Sequence, residues 1–418
     1  MENPASRDSR SMLTNSQHPI DWSWHDAQGY GRMINVSGTM TSLGGSIATP
    51  RVAQATADVM TRFVRIHELQ TRASEVIARL TGAEAGFLTA SASAGITLAV
   101  AGCITGLDPA RAEALPDTPG PKNGVAVQMG HLCEYGAPVS QAIALAGGRT
   151  RIVGQSTLAK DYQLEAALDD TCAAALYVVS HHVVDYGMIP LKTFARIAHA
   201  KGVPVIVDAA SEYDLRGFLE QGADVVIYSG HKFLGGPTSG IVAGSKDLVR
   251  AGYLQNIGIG RGMKIGKESL AGAIAAMEQW MERDHAGIRA EETRALEMWR
   301  TALQGLPGVT AVRIPDPTRN PLERLQVWID PSQAGANAAQ FAEVLGQQDP
   351  PLIVRGHEVE KRYFQLDPCN LTPGQAELVR DTLVAVLRDP GPAARIDPDR
   401  VMDAMRNGGT QAYLDWLG

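Results

Sequence analysis

The chain has 418 residues, 44% of them hydrophobic and 20% charged, enough for a substantial core and roughly two to three domains, which excludes a fibre, a disordered tail and a disulfide miniprotein. With 38 Lys+Arg against 45 Asp+Glu the formal charge is −7, and a negative body attracts phosphodiester backbones poorly unless a basic face is segregated, so nucleic acid is not an expected partner. Residues 1–12 are polar and charged without an apolar h-region, and no window approaches the roughly 18 apolar residues of a membrane span; a cytoplasmic protein with no membrane partner is expected.

Residues 1–33 mix Ser, Asn, His, Asp and Trp without a helical or alternating period, as in an arm that orders only by packing on something else. From Pro50 the pattern changes. Val52, Ala55 and Val59, then Leu69, Ala73, Val76, Ile77 and Leu80, recur mostly at spacings of three and four, which predicts two amphipathic helices, the second ending at Thr81-Gly82.

Short apolar runs then alternate with helical stretches: residues 85–89, 125–129, 176–179, 203–207, 225–228 and 240–243. Runs apolar at nearly every position belong to strands covered on both faces, so an α/β architecture is expected, with a mostly parallel sheet between helices. The segment 108–123, with Pro109, Pro116, Pro119 and Pro121, reads as a surface loop. A composition shift near Asp284 marks a smaller α+β domain. The expected layout is an N-terminal arm (1–45), a large domain (46–285), a small domain (286–390) and a tail (391–418) that is rich in Pro and Asp before a short helix near Leu417. Cys103, Cys133, Cys172 and Cys369 are far apart and form no CxxC pair, so reduced, packed thiols and no metal site are expected.

Ligands of such sheets bind at the carboxyl ends of the strands, and there the chemistry is concentrated. Asp208 follows the run 203–207, while Ser229, Gly230, His231 and Lys232 follow 225–228. If the two strands are neighbours, an acid and an amine stand side by side. A lysine condenses with an aldehyde, and a carboxylate held against a pyridinium nitrogen keeps it protonated and the ring an electron sink; both requirements belong to pyridoxal 5′-phosphate (PLP). A phosphate cradle is available in Ser91-Ala92-Ser93-Ala94-Gly95, where small residues precede an apolar helix. Ser229 can add a hydroxyl. His181 and His182, after 176–179, sit at a third strand end, one expected to face the cofactor and the other to pack.

The string Val205-Ile206-Val207-Asp208, followed by Gly222-Ala223-Asp224-Val225-Val226-Ile227-Tyr228-Ser229-Gly230-His231-Lys232-Phe233-Leu234-Gly235-Gly236-Pro237, resembles the fold type I PLP enzymes of the selenocysteine synthase-like group, which includes D-glucosaminate-6-phosphate ammonia lyase. Leu80-Thr81-Gly82-Ala83-Glu84-Ala85 and Gly262-Met263-Lys264-Ile265-Gly266-Lys267-Glu268 support it. The resemblance implies the aspartate aminotransferase-like fold, with Lys232 as the Schiff-base lysine and Asp208 as the partner of the ring nitrogen. It places His131 to stack on the cofactor face or to move protons, and sets His231 with Ser91, Ala92, Ser93 and Ser229 among the cofactor-binding residues. Arg355 is the implied ligand of a substrate carboxylate, joined by His182 and Arg65. Arg62, Arg65, Arg261 and Lys264 are candidates to reach a phosphate across a subunit interface, because enzymes of this fold form homodimers or higher homo-oligomers with shared sites. Selenocysteine synthases carry acids where His131 and His231 stand here, and a tRNA-binding domain longer than this arm; with the acidic charge, that points away from selenium transfer. The implied reaction is β-elimination from a hydroxy amino acid to a 2-oxo acid and ammonia. Racemisation or epimerisation comes next, then aldol cleavage, and the non-enzymatic alternative is a silent PLP-binding or RNA-associated module.

Overall fold

A computed structural model describes residues 20–417; residues 1–19 of the expected arm lie outside it. The chain divides into one unit of residues 46–283 and a second formed by residues 284–418 together with the segment up to Gly45. The strands in chain order are β1 (Ile34–Val36), β2 (Ala85–Thr89), β3 (Gly124–Gln128), β4 (Arg149–Val153), β5 (Cys172–Val178), β6 (Val205–Asp208), β7 (Val225–Ser229), β8 (Gly240–Gly244), β9 (Val309–Pro315), β10 (Glu323–Ile329), β11 (Leu352–Val354) and β12 (Tyr363–Leu366).

The larger unit holds a seven-stranded sheet in the order β2-β8-β7-β6-β5-β3-β4. Its strands run parallel except β8, which is antiparallel to both β2 and β7. All of β3, β6, β7 and β8 is buried. Apolar clusters cover the two faces, one containing Val207, Val226 and Phe194, the other Ile206, Ile227 and Leu98. Each such side chain contributes about 1.5–3 kcal/mol on burial, so register slips at the centre of the sheet are costly.

The two expected helices span Pro50–Met60 and Ile66–Thr81. Pro50 sits at the first helical position behind the Thr49 cap, and Gly82 closes the second helix at φ 77°, a conformation only glycine adopts cheaply. The second helix also manages the edge strand: Gln70 exchanges hydrogen bonds with the Leu88 carbonyl (2.7 Å) and amide (2.9 Å), and Ser74 accepts from the Gly86 amide (3.0 Å). These side chains replace ladder partners that β2 lacks on its open side.

Three local expectations need correction. Residues 109–114 are a helix rather than loop, because Pro109 falls at the first helical position and Asp108 accepts from the amides of Ala110 and Arg111. Within the arm, Ser23–Gln28 forms a short helix closed by left-handed Gly29, and Ile34–Val36 pairs in parallel with Leu352–Val354. An unforeseen strand, Arg149–Val153, lies at the sheet edge. The second unit adds the antiparallel sheet β12-β10-β9 and a core around Trp299, Phe341 and Phe364. No helix among the described residues is long and apolar enough to cross a membrane.

Candidate active site

The carboxyl ends of β2, β3, β5, β6 and β7 and the start of β8 meet at one edge of the sheet, because β8 alone runs in the opposite direction. Asp208 ends β6 directly beside β7, aligned with Ile227. Its carboxylate is buried and accepts from the Ala210 amide at 3.2 Å. Burial pushes its pKa up to about 6 against the opposing pull of the Lys232 charge. The Lys232 charge thus acts on the acid that ends the neighbouring strand.

Lys232 lies on a loop pinned by its own main chain. The Gly230 amide donates to Ser239 (2.9 Å), Gly235 to Lys232 (3.0 Å) and Gly236 to Gly230 (2.8 Å). Ser46 Oγ donates to the His231 carbonyl (2.7 Å). Phe233 stacks on Tyr213 (4.8 Å, 28°), and Trp280 meets both rings edge-on. The lysine Nζ donates to Ser211 Oγ at 2.6 Å. Ser229 Oγ and His231 Nδ1 lie 3.0 Å apart, and burial, then the Lys232 charge, lowers the His231 pKa.

Ser91 caps the helix Ala92–Thr105 by accepting from Ala94 (3.1 Å). Ala92 and Ser93 begin the first turn, where amide hydrogens have no partner inside the helix. Ser93 Oγ is 3.0 Å from the Tyr135 hydroxyl. Gly240 passes so close that a Cβ there would overlap the Ser91 carbonyl and lie 2.8 Å from the Ala92 nitrogen.

Cys133 and Tyr135 were not anticipated at this site. The Asp208 charge reaches both, adding to the burial that raises the Cys133 thiol to about 11 and the Tyr135 phenol above its usual value. A thiol at that pKa is protonated and unreactive at neutral pH. All four cysteines are free. His131 is buried; its Nδ1 accepts from the Val178 amide (3.2 Å), its ring meets Tyr177 edge-on (4.5 Å, 90°), and burial lowers its pKa to about 4.

The other expected residues lie on further segments of the chain. His181 and His182 are both exposed, their rings 3.8 Å apart, so neither packs into the core as expected. Arg65 is an exposed cap residue whose Nη1 lies 3.3 Å from Glu68. Arg62 donates to the Asp58 carbonyl. Lys267 ties down the turn before Arg65 by donating to the carbonyls of Met60 (3.0 Å) and Arg62 (2.6 Å). Arg261 and Lys264 are exposed on either side of Met263, whose carbonyl accepts from Ala90 and Thr89 beside the cradle (3.4 Å each). Arg355 belongs to the other unit and donates to the Ser37 carbonyl at 3.4 Å. Burial and the neighbouring Arg324 lower its pKa, whereas Arg324 itself bridges Asp316 (2.6 Å) and Asp367 (3.0 Å).

The phosphate cradle and the buried carboxylate together fit PLP. The first turn of the helix Ala92–Thr105 offers amides and hydroxyls that suit an anion, and the burial that raises the Asp208 pKa favours a hydrogen-bonded cation such as a protonated ring nitrogen beside it.

A family model described as L-seryl-tRNA selenium transferase matches residues 33–314. The D-glucosaminate-6-phosphate ammonia lyase of Salmonella typhimurium (strain 14028s / SGSC 2262) is 40% identical over 361 residues, spanning 86% of this chain and 96% of that protein. The 5'-C-glycyluridine monooxygenase-decarboxylase of Streptomyces sp is 35% identical across 86% of this chain and 91% of its own length. A solved structure of D-glucosaminate-6-phosphate ammonia-lyase superposes with TM-score 0.79 at 39% identity, covering 87% of this chain and 98% of that one. The fold is that of the PLP-dependent transferases, as the resemblance implies, with the mostly parallel sheet that the strand runs predict. Matched over more than half its length by the family model, the chain belongs to the L-seryl-tRNA selenium transferase (SelA) family.

Proposed function

We propose that the protein is a PLP-dependent lyase that converts a 2-amino acid bearing a 3-hydroxyl into a 2-oxo acid and ammonia. The observation that carries the lyase reading is the 40% identity to D-glucosaminate-6-phosphate ammonia lyase over nearly the whole of both chains. Support for Cα chemistry comes from the coupled pair Lys232 and Asp208 at adjoining strand ends. When bound, PLP supplies an aldehyde for the lysine and a ring that accepts the electron pair left on Cα.

The residues divide the remaining work. Asp208 would hold the ring nitrogen and keep it protonated, while Ser91, Ala92, Ser93 and Ser229 would hold the phosphate. His131, neutral and fixed, suits a stacking surface better than a proton carrier, since its pKa of about 4 leaves it uncharged at neutral pH. The free Lys232 amine would take the Cα proton and return a proton to the departing hydroxyl. Water lost in elimination is regained when the released enamine hydrolyses, so the net products are oxo acid and ammonia. Arg355, half-buried and donating to the Ser37 carbonyl at 3.4 Å, is proposed for the substrate carboxylate.

The test is a panel of D-glucosaminate 6-phosphate, D-glucosaminate, D- and L-serine and threonine in deuterated water. Oxo acid and ammonia in equal amounts are expected. Deuterium at Cα with loss of optical purity and no ammonia would replace the lyase by a racemase or epimerase, and an aldehyde product by an aldolase. Consumption of oxygen with loss of CO2 would instead favour the chemistry named for the Streptomyces relative.

The cradle makes a separate prediction. Gly240→Ala forces a methyl into the Ser91 carbonyl, a backbone atom with little room to yield. The variant should lose about 1–3 kcal/mol of stability and bind PLP at least about tenfold more weakly, an affinity loss of about 1.4 kcal/mol, as read by equilibrium dialysis.

We further propose a cytoplasmic homodimer with shared sites. Its support is the exposed turn that carries Met60, Phe63, Val64 and Ile66, with Phe63 wholly in solvent and Arg62 and Arg65 on either side of it. Light scattering at a monomer mass would sink it.

A further inference from the structure

We propose that Ser211 is the positioning residue for the Lys232 amine. It holds Nζ whenever that nitrogen is not bonded to carbon, so that the lone pair stays aimed at the proton it removes. This rests on the PLP reading above and deepens it.

The carrying observation is the 2.6 Å hydrogen bond from Lys232 Nζ to Ser211 Oγ, at the short end for a nitrogen donor. The turn that carries Ser211 is held from several sides. Asp208 accepts from Ala210, and Glu212 donates to Ala209 (3.0 Å). The neighbouring strand grips the same turn, because Ala209 donates to Ile227 (2.9 Å) and Ser229 donates to Ala210 (3.1 Å). One step outward from the polar pair, Tyr213 stacks on Phe233, so the residue after Lys232 is fixed to the turn that carries Ser211. The hydroxyl and the amine thus sit on two loops that are locked to each other.

A hydroxyl is chemically suited to this role. A lysine swings on a flexible four-carbon stem, and a misplacement of about 1 Å can cost about a hundredfold in rate. A carboxylate at the position of Ser211 would hold the stem too, but it would stabilise the ammonium form and silence the base. The neutral hydroxyl orients Nζ with a much smaller bias toward the charged form.

The experiment compares Ser211→Ala with Ser211→Thr, which keeps the hydroxyl. In Ser211→Ala the rate of Cα hydrogen exchange should fall about 10- to 100-fold with KM within about threefold, the loss expected of a misaligned base. Because a lost acceptor disfavours the ammonium, the acid limb of the kcat profile should move to lower pH. In cofactor-free enzyme, the pH at which Lys232 becomes reactive toward a small acylating reagent, followed by mass spectrometry, should fall as well. Ser211→Thr should restore exchange to within about fivefold of wild type.

The proposal is overturned if Ser211→Ala matches wild type in both exchange and acylation profile, or if Ser211→Thr is as impaired as Ser211→Ala. Failure of the underlying PLP reading is distinguishable, since wild-type protein incubated with PLP would then show no visible absorbance band dependent on Lys232.

Discussion

Lys232→Ala should lose ammonia release by on the order of 10⁴-fold, the upper end of what a positioned proton-transfer group contributes, and with it the visible absorbance of the PLP-loaded protein. The fold should survive. The contacts that shape the loop are main-chain bonds of Gly230, Gly235 and Gly236 and the ring packing of Phe233, none of which uses the lysine side chain. A melting temperature close to wild type would therefore accompany the loss of turnover. Lys232→Arg separates the two things lysine offers. It keeps a cation opposite Asp208 but cannot condense with an aldehyde, and its guanidinium stays protonated at any working pH, so it should be as inactive as the alanine variant. Turnover above about 1% of wild type in either variant, against the 10⁴-fold loss expected, would remove Lys232 from the chemistry. A visible band that depends on Lys232 in a wild-type protein indifferent to every amino acid would instead favour the silent cofactor-binding module.

The parts of this site that lie on buried parallel strands could be read from the residues, and the parts assembled by side-chain approach could not. The strands at residues 205–208 and 225–229 are apolar almost throughout because both faces are covered, so their ends, and with them Asp208 and Lys232, stand out. Arg149–Val153 was missed for the opposite reason. It is an edge strand with Arg149 exposed and Arg151 partly so, and its polar content masks its period. The helix 109–114 hid behind prolines that look like loop residues until Pro109 is placed behind the Asp108 cap. Ser211 carries no signal in its own neighbourhood. It meets Lys232, 21 residues away, only because β6 and β7 are adjacent and in register. Tyr135 is in the same position relative to Ser93, 42 residues away. One usable clue was available for Ser211: it stands three residues after the acid that ends a strand, on the turn facing the ligand edge.

Asp208→Asn should lower kcat by at least about a hundredfold, the cost of removing one preorganised group aimed at developing charge, because an amide cannot keep a ring nitrogen protonated. Its effect on stability should run the other way in cofactor-free protein. Burial raises the Asp208 pKa from the unperturbed 3.8 to about 6, so the folded state binds a proton that the unfolded state has released between those values. Stability therefore falls as pH rises across that window, and above about pH 6 the buried charge costs roughly 3 kcal/mol, taking about 1.4 kcal/mol for each pKa unit. Asparagine carries no such charge. Cofactor-free Asp208→Asn should melt above wild type at pH 8, and the gap should close below about pH 4, where both side chains are neutral. Adding PLP reverses the order, since the wild-type carboxylate gains a protonated ring nitrogen as partner while the amide gains little. Melting curves of both proteins at pH 4 and pH 8, with and without PLP, read all four corners of this cycle. A variant that gains as much from PLP as wild type does would show that Asp208 does not face the ring nitrogen, whatever became of the rate.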